Sequence, residues 1–502
     1  MEAGLARSAV VPPSVPRASR AWTKLDTLAV GSVAVLSAGI RSVGLTSLPS
    51  VFEEGYYAVD SCIAALGPGP PCHEGGLEIV APVHPPLGTL IIGLGIRLFG
   101  YRPGGWRVAA LGAGVLTVIV LYVLARKLFH STLAATLASG FLALDFLHFI
   151  HSRIAMLDVF LTLFGTTTFL FLVVDRDAKG RAHQWLRPWR LAAGAVAGAA
   201  AATKWPGLAF VAGAVLVTLT YERSRRTGRS NPWRLLLAEE GPSIAVGLLA
   251  MPVAVYVLSH VGRVDGAILA WPWSTDAWVR SFLAEQSAML RFHAGLDAPH
   301  FYGSPAWSWP LLKRPIVYLY EASSGGRFRE VLAIGSPLAW WASFAALGWL
   351  CVDWFRRRGE RHGGGLVLAG FAFAWLPWLA VSPLRGTTTF LFYLLPAVPF
   401  MCLGLGWAGR RIARQLGGRV MVVVFCLGAL GAFAFYHPLL TGAPIELRAW
   451  EQRILFTDCD LEGLRLSDIS LPEHIERPVD IPGPYPEALL RLGSPPAGWC
   501  WV

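Results

Sequence analysis

The sequence predicts an all-α polytopic membrane protein. Three observations carry this expectation. Hydrophobic residues make up 54% of the 502-residue chain and charged residues only 15%, against about a quarter charged in soluble proteins. Mean hydropathy is +0.50. The apolar residues also fall in runs of roughly 17–25 residues, the length that crosses a hydrocarbon core.

Along the chain, eleven such runs lie near 26–46, 105–125, 131–150, 155–174, 190–204, 206–221, 241–260, 337–355, 364–382, 388–407 and 419–437. The first follows Arg7, Arg17, Arg20 and Lys24. No small-residue cleavage site stands behind it, so it reads as a retained span and not as a cleaved signal peptide. The fifth and sixth are short and are split by "TKWPG". A further apolar stretch, "HPPLGTLIIGLGIRLFG" over 84–100, is apolar only from Leu87 to Phe99 and contains Arg97. That is too short for a core of about 30 Å. Laid in the interface as an amphipathic helix, it leaves the clusters Arg126–Lys127, Arg176–Arg190, Arg223–Arg234, Arg356–Arg361 and Arg410–Arg419 on one side, inside with the N-terminus. If it crosses, the early clusters move to the wrong side.

The expected organisation is therefore about eleven spans with the C-terminus outside. A cytoplasmic tail covers 1–25. An N-terminal membrane region covers 26–260 and carries a first external loop at 47–104. A Trp-rich external loop covers 261–336, a four-helix membrane region 337–442 and an external tail 443–502. The net charge of +11 sits mostly in the orienting clusters, and no nucleic-acid recognition motif accompanies it. No fixed-period repeat is present. Cys351, Cys402 and Cys426 fall in spans, as small buried apolar residues do. Cys62, Cys72, Cys459 and Cys500 fall outside, an even set compatible with two disulfides between sequence neighbours, with free thiols as the other reading.

This topology gathers polar groups at the outer face. "SVFEEGYYAVDSC" puts Glu53 and Glu54 just after the first span. His84 opens the interfacial helix. "HSRIAMLD" brings His151, Arg153 and Asp158, and "TKWPG" brings Lys204. His293, Lys313 and Arg314 lie in the long loop, and Arg385 ends the ninth span. Each has an ordinary structural reading: Arg153 or Lys204 snorkelling to the interface, Asp158 pairing or capping, the histidines packing, the acids solvated. Their convergence is the stronger observation, because ionisable groups near helix ends face a cavity or one another. Acids beside several cations at a lipid surface fit a site that handles an anionic lipid head group and moves a proton.

At these residues the chain, over about 26–442, resembles the bacterial branch of the protein O-mannosyltransferase family. "FEEGYY", "HPPLG", "GWR", "HSRIAMLD", "ATKWPG", "FHAGL", "WSWPLLKRPIVY" and "FYLLPAVPF" follow in family order. The resemblance implies a GT-C-like fold and inverting transfer of mannose from a polyprenyl-phosphate-mannose donor to Ser or Thr hydroxyls of secreted polypeptides, with the secretion translocon as a further partner. Two positions depart from the family pattern. The first acid, usually Asp and the proposed base, is Glu53, and the basic residue after "HPPLG" is Thr89.

On this reading Glu53, with Glu54, accepts the hydroxyl proton. Arg153 and Lys204 bind the donor phosphate, backed by Arg314 and Arg385. His84, His151, Asp158 and His293 complete the site. No obligatory metal or other cofactor is expected. "DCD" at Asp458–Asp460 looks like a metal motif but lacks the strand-and-loop setting of one. The alternatives are a lipid or cell-wall glycan acceptor, as in the related aminoarabinose transferases, an inactive lipid- or protein-binding relative, and a transporter. A transporter places its ionisable groups near the bilayer midplane.

Overall fold

A computed structural model describes residues 21–67, 69–72, 83–178, 185–261, 263–264, 267–268, 275–295, 302–323, 327–357, 363–384, 389–456 and Trp499. Arg385, Cys459, Cys500, Asp458–Asp460 and most of the two terminal tails lie outside the described residues. The N-terminal helices are α1 (Lys24–Ser42), α2 (Glu54–Leu66), α3 (Leu87–Phe99), α4 (Pro103–Phe129), α5 (Thr132–Ala143), α6 (Phe146–His151), α7 (Asp158–Asp177), α8 (Pro188–Thr203) and α9 (Leu208–Ser224). α10 (Pro232–Ile244) runs through a π-helical turn into α11 (Met251–Ser259). Two short strands, β1 (Arg263–Val264) and β2 (Ala267–Ile268), precede α12 (Thr275–Gly295).

The strands β3 (Ile316–Ser323) and β4 (Arg327–Ala333) follow. Next come α13 (Pro337–Arg356), α14 (Gly364–Val381), α15 (Val398–Ile412), α16 (Gly418–Thr441), β5 (Ile445–Glu446) and α17 (Leu447–Glu451).

Among the described residues, nine helical segments are long and apolar enough to cross a membrane, which makes the chain a multi-pass membrane protein. One expected span is interrupted, and two other apolar runs form short helices. The run 131–150 breaks at Leu144–Asp145 into α5 and α6, because Asp145 leaves the helix to cap the His148 amide at 2.9 Å. The run 190–204 becomes the 16-residue α8. The run 84–100 forms the 13-residue α3, which packs on α2 and α4. The expected purely helical chain is also incomplete. The loop 261–336 holds a hairpin in which β3 pairs antiparallel with β4, and β5 adds to β4 through Phe328 opposite Ile445.

Buried polar groups join the helices at both ends of the bundle. A capping box between Thr23 and Asp26 starts α1. Asp26 then accepts from Arg126 Nε at 2.8 Å and Thr132 Oγ1 at 2.7 Å, tying α1 to the end of α4 and the start of α5. The basic clusters at 176–190 and 223–234, expected from sequence to orient the chain in the bilayer, are partly buried. Arg187 and Arg190 meet Glu240 at 2.9 and 2.8 Å, and Arg226 meets Glu222 at 2.8 Å. Cys62 and Cys72 form a disulfide, closing the turn after α2.

Glu330 on β4 is buried. It accepts from the Trp450 indole of α17, and its Oε1 has no hydrogen-bond partner among the described residues. Burial pushes its carboxyl up to about 8, with the Trp450 bond acting the other way. The folded sheet therefore holds a proton that the unfolded chain gives up at its ordinary value. Stability is lost as pH rises between those two values, and the loss is complete above the higher one. Hydrogen-exchange protection factors of β4 and α17 are expected to fall between about pH 5 and about pH 9. Glu330→Gln should flatten that dependence, and an unchanged slope in the variant would assign it to another group.

Candidate active site

The site forms where the start of α7, the end of α8, the turn before α2, β3 and the segment Leu391–Ala397 meet. α7 packs against α4, α8 and that segment. Asp158 is the first residue of α7 and Lys204 the C-cap of α8. An acid at a helix N-terminus and a cation at a C-terminus both complement the helix dipole. The two side chains are buried and paired, with Lys204 Nζ at 3.0 and 3.2 Å from the Asp158 carboxylate oxygens. Lys204 also lies over the rings of Tyr393 at 5.0 Å and Phe392 at 5.6 Å. "TKWPG" makes this turn because Gly207 sits on the Ala200 backbone, where a Cβ would come within 2.2 Å.

The adjacent acids Glu53 and Glu54 part company. Successive residues entering a helix point about 100° apart, so two neighbours cannot serve one point. Glu54 is fully buried and takes Arg107 bidentately, at 2.7 Å to Nε and 2.5 Å to Nη2. It also accepts from the amides of Ala155 at 2.9 Å and Val51 at 3.2 Å. Arg107 gives its remaining donors to the carbonyls of Leu45, Leu48 and Pro49.

Glu53 keeps partial exposure at the N-cap of α2 and makes no capping bond with its side chain. Its Oε2 accepts from Tyr57 Oη at 3.1 Å. Burial raises its carboxyl above the usual range. Lys204 pulls it down and Asp158 pushes it up, which places all three groups in one electrostatic field.

Phe52, directly before Glu53, adopts a left-handed φ of 49°. For a bulky residue this costs on the order of 1–3 kcal/mol and persists where surroundings hold it. Here its ring stacks on Tyr318 of β3 at 4.7 Å and meets Phe392 edge-on at 6.1 Å. Tyr318 in turn shares a hydrogen bond with His151 Nε2 at 2.9 Å. The rings of Tyr57, His84 and His293 follow one another at 6.3 and 5.4 Å, leading away from Glu53 towards α12.

Glu53, His151, Asp158 and Lys204 are thus brought together, with His84 and His293 alongside. Arg153 is not placed among them. Its guanidinium donates to Arg41 and Val43 carbonyls at 2.7 and 2.6 Å and lies over Phe149, closing the C-terminal end of α1. Arg314 is half-buried in the turn before β3. Tyr57, Tyr318, Phe392, Tyr393 and Arg107 belong to the cluster or its support without having been singled out from sequence. The strings "FEEGYY", "RPIVY", "FYLLP" and "GWR" carry them, but only the folded hairpin brings Tyr318 to His151. Among the described residues no group of His, Cys, Asp and Glu is arranged to hold a metal ion.

Comparison with known proteins bears on this arrangement. Residues 105–261 match the model of dolichyl-phosphate-mannose-protein mannosyltransferases, and 278–458 match that of the C-terminal four-transmembrane region of protein O-mannosyltransferases. The polyprenol-phosphate-mannose–protein mannosyltransferase of Mycolicibacterium smegmatis is 31% identical over 460 residues, covering 80% of this chain and 86% of the relative. Its Mycobacterium tuberculosis counterpart is 29% identical over 483 residues, covering 85% and 90%. The fold is shared with the Saccharomyces cerevisiae Pmt1–Pmt2 complex bound to the sugar donor, at a TM-score of 0.68, 15% identity and coverage of 87% and 93%. It is shared more distantly with ArnT of Cupriavidus metallidurans, at 0.53, 18% identity and coverage of 83% and 77%. The chain belongs to the protein O-mannosyltransferase family.

Proposed function

We propose that this protein transfers mannose, with inversion, from a polyprenyl-phosphate-mannose donor to Ser or Thr hydroxyls of polypeptides. The observation that carries the reading is a partly exposed carboxylate, Glu53, in the same electrostatic field as a buried cation, Lys204. The acceptor oxygen attacks the anomeric carbon and its proton passes to Glu53. The bond from that carbon to the phosphate oxygen breaks, and polyprenyl phosphate leaves with the electron pair. Lys204 has three donors. Two go to Asp158, and the third serves the phosphate, on which negative charge grows in the transition state. No covalent intermediate and no metal is needed for this balance. Glu54 and Arg153 are the scaffold that holds the first loop against α1, α4 and α7.

Purified protein incubated with radiolabelled polyprenyl-phosphate-mannose should label Ser/Thr peptides, with lipid acceptors run in parallel. Labelling of lipid alone would overturn the acceptor assignment. Removing Lys204 alone leaves Asp158 buried and unpaired, so the informative variant is Lys204→Met with Asp158→Asn. It should fold yet lose roughly 10- to 100-fold in donor affinity, as expected on loss of a charge-assisted hydrogen bond. Unchanged donor affinity would move phosphate binding elsewhere.

In this reading the site faces outward, and the N-terminus and the α15–α16 turn face inward, as the basic clusters require. Ser152 is fully buried and cannot report sidedness, whereas Thr46 and Gln415 are exposed. With Cys351, Cys402, Cys426, Cys459 and Cys500 replaced by alanine, an impermeant thiol reagent added outside should label a cysteine at Thr46 and spare one at Gln415. The reverse pattern would invert the protein.

A further inference from the structure

The end of the bundle opposite Glu53 carries a feature that the transfer reaction does not use. α5, α13, α15 and α16 line a half-open apolar cavity of about 350 Å³, bordered among others by Phe141, Ala342, Trp349, Leu405 and Phe425. This is within the roughly 300–1,000 Å³ of small-molecule sites. Tyr393 belongs to the reaction site, and the chain runs from it along the length of α15 to Ile412 beside the cavity. At about 1.5 Å per residue that path is some 25–30 Å.

Arginines flank the segments that line the cavity. Arg411 lies over Trp407 at 4.6 Å and over the cavity-lining Trp349 at 5.9 Å, with one Nη bonded to Asp353 at 2.7 Å. Arg410 is in electrostatic range of Arg411 and Arg414. Arg414 is exposed, and so is Arg419, at the start of the helix whose Met421 and Val422 line the cavity. Asp353 is the acid that meets Arg411, so positive charge is left over beside an apolar slot.

We infer that this cavity and its arginine rim bind an anionic diacyl phospholipid, one acyl chain in the slot and the phosphate at the rim. A zwitterionic lipid fills the slot equally well but gains nothing from the excess charge. Arginine recognises phosphate with paired N–H donors, and basic pockets between membrane helices select anionic head groups. The distance from Lys204 separates this site from the donor's reacting phosphate.

The test uses full-length protein in nanodiscs of equal parts phosphatidylglycerol and phosphatidylcholine, extracted gently and read by native mass spectrometry. Preferential retention of one phosphatidylglycerol per protein is expected. Arg414→Gln with Arg419→Gln, both exposed, should lower that retention roughly tenfold or more, each surface cation being worth about fivefold. Ala342→Phe with Ala345→Phe should lower retention of both lipids by filling the slot. Retained binding of polyprenyl-phosphate-mannose shows that each variant is folded. Equal retention of the two phospholipids, no effect of the arginine variant, or displacement of phosphatidylglycerol by equimolar undecaprenyl phosphate would overturn the inference.

Discussion

Glu53→Gln is expected to slow mannosyl transfer by roughly 100-fold or more, the range lost with a general base, while donor binding and folded yield stay near wild type. The amide keeps the shape of the carboxylate and can still accept from Tyr57, so the packing around Phe52 and Tyr318 is retained. What it cannot do is take a proton. The direction of the carboxyl's shift adds a second signature. Burial raises Glu53 above the usual carboxylate range, with Asp158 adding and Lys204 opposing. A base must be ionised, so kcat/KM should decline as pH falls through that raised value, above the usual carboxylate pKa of about 4.3. Residual activity of the variant should lack this limb. A variant that transfers at the wild-type rate, or that keeps the limb, would remove Glu53 from the proton transfer.

Hydropathy and charge made the membrane class, the order of the apolar segments and the short 84–100 helix legible, because each depends on composition over a window. Asp145 could not be read the same way. One acid in a 20-residue run looks tolerable until it caps α6 and ends α5. The hairpin β3–β4 was hidden in a Trp-rich loop, where "IVYLYEAS" lacks clean alternation. The site divides similarly. Lys204 and Asp158 were recognisable as charges at helix ends, and geometry adds that they hold one another. Arg153 carried the same sequence signal, yet its Nη1 donates to carbonyls at the end of α1. Which way a buried guanidinium points depends on neighbours over 100 residues away. Adjacent Glu53 and Glu54 look equivalent as letters, and the helical turn between them makes them different in kind.

That difference yields the other large expected effect. Arg107→Leu should cost about 3–5 kcal/mol of stability, the loss seen when one partner of a buried ion pair is removed, and folded protein should drop accordingly. Arg107 spends five N–H groups on Glu54 and on the carbonyls of Leu45, Leu48 and Pro49, so its loss frees the whole first loop. Glu54→Gln should destabilise in the same direction, because its amide N–H faces donors where the carboxylate accepted four hydrogen bonds. The double variant with Gln at 54 and Leu at 107 should be more stable than the sum of its parts, since neither charge is then left buried alone. Thermal midpoints, folded yield and donor affinity measured together separate this role from catalysis. Glu54→Gln should lose stability and donor affinity along with turnover, whereas Glu53→Gln loses turnover alone. A Glu54→Gln protein that melts at the wild-type temperature, binds donor normally and transfers nothing would make Glu54 the proton acceptor, and the buried pair with Arg107 would then be its resting state.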